Sequence, residues 1–195
     1  MPTIKRSTAE IRYLTGDATA PESDGPSVIA HVCNDLGRWG RGFVVPLAKR
    51  WPAARAAFLS WHAGARDGEP PFELGRVQVV PVGPEVWVAN MVGQHGLTAK
   101  KGVPPIRYAA VGEALAEVAR FAQAKDATVH MPRIGCGLAG GMWDRIEPLI
   151  RQTLTAAGVQ TVVYDLPAGS QHRVSRPRSH KAAPRRGRNA AEGVR

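Results

Sequence analysis

Two stretches of the chain carry side chains and backbone suited to chemistry on an anionic ligand. The first is His130-Met131-Pro132-Arg133-Ile134-Gly135-Cys136-Gly137-Leu138-Ala139-Gly140-Gly141, which follows the β-like run Thr128–Met131 and precedes a helical pattern from Met142. A strand running through glycines into a helix start presents bare N–H groups, and these suit a phosphate or diphosphate. The second is Val28-Ile29-Ala30-His31-Val32-Cys33-Asn34-Asp35, an apolar run ending in two polar residues, followed by Leu36-Gly37-Arg38-Trp39-Gly40-Arg41-Gly42 and a helical run from Phe43. Two such turns at the carboxyl ends of parallel strands can clamp one diphosphate from both sides. Neither matches the P-loop or dinucleotide fingerprint. Asp35, and His95 in the polar loop after a later strand, are the candidate general bases near these turns. Cys136 offers a rival chemistry, a thiol activated near a helix start. His31, inside the strand, reads as a core histidine.

Leu14-Thr15-Gly16-Asp17, the Asn34–Gly42 turn, the MPRIGCGLAGG stretch and the closing Val162-Val163-Tyr164-Asp165-Leu166 agree in order and spacing with one family. Over roughly residues 10 to 167 the sequence resembles a macrodomain, closest to terminal ADP-ribose protein glycohydrolases and bacterial ADP-ribose 1''-phosphate processing proteins. The resemblance implies a three-layer α/β/α fold with a central mixed sheet, and ADP-ribose as the ligand, with no metal or further cofactor. By the same resemblance Asp17 accepts the adenine amino group and Asn34 faces the distal ribose. Ala18, Gly40, Arg41, Gly42, Phe43, Ile134, Gly135, Cys136, Gly137, Leu138, Ala139 and Tyr164 complete the implied ligand site. The implied activity is hydrolysis at the distal ribose C1'', releasing ADP-ribose from an acidic side chain or from an O-acetyl, 1''-phosphate or nucleic-acid adduct, with Asn34, Asp35 and His95 as catalytic candidates. The sequence departs from its nearest branch at two places. Residue 139 is Ala where that branch has an aspartate, and Asn90-Met91-Val92-Gly93 lacks its strand-end lysine. The alternative function is therefore a non-catalytic reader of ADP-ribose.

Charge divides the 195 residues into two regions. Of 26 Lys and Arg, eight follow Pro167 against one acid, Glu192, so that tail carries +7. The preceding body holds 18 basic against 15 acidic residues. We expect a domain over 1–167 and a basic, disordered tail over 168–195, whose charge would favour a polyanion such as nucleic acid. Cys33 and Cys136 match neither zinc nor C-x-x-C spacing, and no apolar run has the length of a membrane span; both features fit a soluble cytoplasmic protein.

The elements that must position the two turns follow from periodicity. Strands are expected at Ile11–Leu14, Ser27–Cys33, Gly75–Pro81, Val86–Met91, Thr128–Met131 and Thr161–Leu166. Helices are expected from Phe43, with Pro46 in the first turn, from Pro52 to Trp61, through Tyr108, Val111, Leu115, Val118 and Ala122, and from Met142 to Ala156. The loop Val92–Gly102 occupies the place of a lid.

Overall fold

The computed structural model describes residues 9–21, 23–64 and 66–167. The basic tail expected at 168–195 lies outside the described residues. In chain order the elements are β1 (Ile11–Thr15), β2 (Ser27–Asn34), α1 (Val44–Arg50), α2 (Pro52–Ala63), β3 (Val77–Gly83), β4 (Val86–Gln94), α3 (Tyr108–Lys125), β5 (Thr128–Pro132), α4 (Trp143–Ile150) and β6 (Thr161–Asp165). The strands form one sheet in the order β1-β6-β5-β2-β4-β3. All neighbours run parallel except β3, which is antiparallel to β4. This is the mixed sheet between helical layers that the sequence leads one to expect.

β2 is apolar throughout because both of its faces are covered. Val28 and Ala30 pack into the large core with α3 and α4, through Leu115, Val118, Ile146 and Ile150. Ile29 and Cys33 turn the other way, onto Leu47 of α1 and Phe58 and Trp61 of α2. The stripe predicted on α3 is buried at Val111, Leu115, Val118 and Ala122 and half-buried at Tyr108.

Between β1 and β2 in the sheet lie β6 and β5, so the connection Gly16–Pro26 has to cross them. Ala18 packs there against Val162 and Tyr164. The chain leaves β2 toward the α1–α2 face and leaves β5 toward the α4 face, although the two strands are hydrogen-bonded neighbours. Their carboxyl ends form a topological switch point, the position at which open α/β sheets carry a ligand crevice.

Two boundaries differ from expectation by three residues or more. α4 ends at Ile150 rather than running to Ala156, and Arg151–Thr155 continue as a π-helical turn. Pro148 has no N–H to give to the preceding turn. The Thr153 and Thr155 hydroxyls then bond the Leu149 and Arg151 carbonyls, while Ala156 N–H reaches back five residues to Arg151. β4 extends past Met91 to Gln94, because Asp35 N–H and an isolated bridge to Ile106 give the extra residues partners from other loops.

Candidate functional site

Five parallel strands end on the same side, and their loops carry nearly all the residues singled out above. The turn after β2 is folded by Asn34. Its Oδ1 accepts from the N–H groups of Leu36 (3.1 Å) and Arg38 (3.0 Å), and its Nδ2 donates to the Arg38 carbonyl (2.7 Å). One amide hydrogen is left over for anything outside. Gly37 has φ +64°, and a Cβ there would stand 2.3 Å from Cγ of His62, so the α2 histidine is seated directly on this turn. Trp39 donates Nε1–H to the Val44 carbonyl and sets its ring against His31 and Phe58, which makes it a pillar of the α2 side. Beyond it, the N–H groups of Gly40, Arg41, Gly42 and Phe43 donate to no acceptor among the described residues.

The turn after β5 is held from inside. Gly141 N–H bonds the Gly135 carbonyl (2.8 Å) and Gly140 N–H the Gly137 carbonyl (3.0 Å). A Cβ at Gly135 would lie 2.7 Å from Ile106 Cδ1, and one at Gly141 would lie 2.6 Å from the Gly135 oxygen, so both positions require glycine. The N–H groups of Gly137, Leu138 and Ala139 have no acceptor among the described residues. Ile134 and Ala139 bury their side chains in the core, leaving only their main chain for a ligand. The two turns approach each other closely: a Cβ at Gly42 would be 3.4 Å from Leu138 Cδ1.

The sequence offered no signal for one anchor of this turn beyond the position of an arginine at a strand end. Arg133 forms a fork with Asp165 (Nε to Oδ1 2.5 Å, Nη2 to Oδ2 2.8 Å) and lies against the rings of Tyr13 and Trp143. The Arg133 guanidinium holds the Asp165 carboxyl below its ordinary value. The rival reading of Cys136 as an activated thiol gains no support: burial pushes the thiol up, and nearby Arg133 does not offset this.

Asp35 and His95 are brought together. Asp35 Oδ2 lies 2.5 Å from His95 Nδ1, and Oδ1 accepts the Gly96 N–H at 2.8 Å. Partial burial opposes ionisation of Asp35, yet the Gly96 N–H and the His95 imidazole outweigh it, and the carboxyl is held below its ordinary value. A carboxylate only accepts, so His95 Nδ1 carries the hydrogen; in the neutral ring Nε2 would then present a lone pair. The Asp35 carboxylate thereby fixes the ring orientation of the half-exposed imidazole.

The loop after β4 is a small hairpin. Lys100 and Val103 exchange both backbone bonds, with Lys101 (φ +50°) and Gly102 (φ +78°) between them as the positive-φ pair of a type I′ turn. Its base is tied to both glycine turns, through Gly96 N–H to Asp35 and Ile106 N–H to the Ala139 carbonyl.

At the other end of the crevice, Asp17 Oδ1 accepts the Thr19 N–H at 2.8 Å, which caps the turn and leaves Oδ2. Ala18 and Phe43 meet Tyr164 in one cluster, and the Tyr164 hydroxyl lies 3.1 Å from His130 Nδ1. His130 is fully buried and its pKa falls to about 4 through burial and the Arg12 charge. His31 falls likewise to about 4 by burial, against the opposing bond to Asn90 Oδ1 at 2.7 Å. Among the described residues no three His, Cys, Asp or Glu converge as a metal site, and no helix is long and apolar enough to cross a membrane.

No family model matches the chain. The chromodomain-helicase-DNA-binding protein 1-like of Danio rerio is 34% identical over 171 residues, which is 83% of this chain and 16% of that protein. The chain therefore spans about a sixth of that relative. An ADP-ribose 1''-phosphate phosphatase of Scheffersomyces stipitis is 24% identical over 164 residues, covering 73% of this chain and 94% of the relative. Among solved structures, a macrodomain protein from Streptomyces coelicolor superposes with a TM-score of 0.69 and 54% identity, over 80% of this chain and 99% of that one. The chain belongs to the macrodomain family.

Proposed function

We propose that this macrodomain binds ADP-ribose with its diphosphate between the two glycine turns, and hydrolyses a bond at C1'' of the distal ribose. The observation that carries the binding reading is the pair of neighbouring N–H rows without acceptors among the described residues, Gly40–Phe43 and Gly137–Ala139. Free amides grouped in this way stabilise an anion without any lysine. The Scheffersomyces relative, named for ADP-ribose 1''-phosphate, supports the same ligand class. At the adenine end Asp17 Oδ2 accepts the amino group above Ala18, Phe43 and Tyr164.

Hydrolysis rests on the Asp35–His95 contact. His95 Nε2 takes a proton from water as the water oxygen attacks C1''. The bond from C1'' to an ester oxygen breaks, the carboxylate leaves with the electron pair, and ADP-ribose keeps the new hydroxyl. The remaining Asn34 amide hydrogen donates to a ribose hydroxyl. This chemistry dispenses with the lysine and aspartate of the terminal ADP-ribose glycohydrolase branch, which the chain otherwise resembles.

The test is release of ADP-ribose from a glutamate-linked protein conjugate, from ADP-ribose 1''-phosphate and from ADP-ribosylated DNA, with calorimetry of ADP-ribose alongside. Turnover on at least one is expected, and His95→Ala should lower it about 10²–10⁴-fold while ADP-ribose affinity holds. Full activity of that variant would remove His95 from the mechanism. Tight binding without turnover in the wild type would establish the second reading, a reader module, which Ala139 and the lysine-free Asn90–Gly93 favour.

A further inference from the structure

Exposed aliphatic side chains gather around the mouth of the crevice. Leu97 (45% exposed) and Val103 (56%) flank the hairpin tip, Leu36 (47%) follows Asp35, and Leu138 (53%) precedes Ala139. Those neighbours are the residues to which the hairpin base is bonded, so all four side chains belong to one rim. The tip itself is Lys100-Lys101, both exposed and neither in an ion pair with a described residue. Residues 95–107 contain no acid, and Asp35 is already engaged by His95 and Gly96. The hairpin's backbone is fixed by its own paired bonds and by Arg107, whose Nη1 holds the carbonyls of Pro104, Pro105 and Ile106. A rigid, basic, aliphatic finger beside a C1'' site contacts whatever is joined to C1''.

We propose that the finger Leu97–Val103 reads the polypeptide to which ADP-ribose is attached, selecting acidic segments with aliphatic side chains. The proposal rests on the assignment of the crevice to ADP-ribose. Charge complementarity gives the acidic preference, through two unpaired lysines with no acid in their loop. The aliphatic rim gives the polypeptide preference, since nucleic acid without sequence preference is held by basic grooves with aromatic stacking platforms. Among the described Phe, Trp and Tyr side chains the exposed one is Tyr13, which lies instead against Arg133 and Trp143 on the α4 side. Contiguous exposed apolar side chains on a soluble domain mark a contact surface.

The experiment compares the full-length wild type with the variant K100E/K101E, so the basic tail is the same in both. Each is titrated with free ADP-ribose, with a glutamate-linked ADP-ribosyl peptide having acidic and leucine-rich flanks, with the same adduct on a lysine-rich peptide, and with an ADP-ribosylated oligonucleotide. Expected is tighter binding of the acidic peptide conjugate than of free ADP-ribose by the wild type, with about tenfold of that advantage lost in the variant and free ADP-ribose unaffected. The variant Leu97→Ser/Val103→Ser should lose part of the same advantage. Equal affinity for both peptides and for free ADP-ribose, or an acidic preference intact in K100E/K101E, overturns the finger and leaves the ADP-ribose site standing. Preference for the oligonucleotide that is lost in the variant also overturns it, in favour of a polyanion contact. Failure of the wild type to bind free ADP-ribose overturns both.

Discussion

Replacing Asn34 separates a residue that holds its own loop from one that only touches a ligand. Its side chain makes three hydrogen bonds to the backbone of Leu36 and Arg38, and it is largely buried. Asn34→Ala removes all three and leaves two N–H groups and one carbonyl without partners. At a net 0.5–1.5 kcal/mol each, and with water reaching part of the turn, the loss is about 2–3 kcal/mol. For a domain of this size that lowers the melting temperature by about 5–10 °C. The freed turn no longer holds the Gly40–Phe43 amides in place, so ADP-ribose affinity falls together with stability. Asn34→Asp keeps the acceptor for the Leu36 and Arg38 amides but sets a carboxylate against the Arg38 carbonyl, and should fall between wild type and Ala. Thermal unfolding and calorimetry of the three proteins are the assay. An Asn34→Ala protein with wild-type melting and wild-type ADP-ribose affinity, defective only in turnover, would refute the loop-holding role and return Asn34 to the ribose.

Two further outcomes follow from the site's surroundings. Gly37→Ala places a Cβ at φ +64° and onto the His62 ring, so it should destabilise by more than the roughly 1–2 kcal/mol of left-handed strain alone. In denaturant melts His62→Ala should rescue part of that loss while costing stability in the wild-type background; no rescue would mean the ring is not seated on the turn. His31 and His130 both have folded-state pKa values lowered to about 4 against an ordinary 6.5. The unfolded chain therefore binds more protons between those values, and stability must fall as pH drops from 6.5 toward 4. Between pH 7 and pH 5 the two together should cost about 3–4 kcal/mol, with uptake of close to two protons on unfolding at pH 5. A flat stability across that range would contradict the buried neutral imidazoles.

The centre of the sheet was legible because β2 is apolar on both faces, and burial on both faces is what a run such as Ser27–Cys33 records. The glycine turns were legible because positions such as Gly135 and Gly141 admit no Cβ. The limit lies in polar side chains at strand ends. Asn34 looks the same in sequence whether its amide faces a ribose or the backbone four residues on. His62 supports Gly37 from 25 positions away, and Arg133 meets Asp165 from 32 away, so neither contact leaves a local pattern. Cys136 misleads for a related reason. Proximity to a helix start argues for a thiolate, but desolvation by the packed turn outweighs it, and packing is not written in spacing. Pro148 did mark the end of α4, a signal that the apolar periodicity across it conceals.

At position 139 the packing of this chain disfavours an aspartate. Ala139 is 5% exposed, belongs to the core under α3 and α4, and gives its carbonyl to Ile106. A carboxylate on that Cβ would be desolvated without a partner, at a cost that favours its neutral form. Asn90 is equally committed: fully buried, it accepts from His31 and donates to Gln78 Oε1 at 3.1 Å, which leaves no path from there to the crevice. Of the other acids at the strand ends, Asp165 is neutralised by Arg133 and Asp17 caps its own turn. That elimination leaves Asp35 with His95 as the described acid–imidazole pair among the strand-end loops, and it is on this pair that the proposed hydrolysis rests.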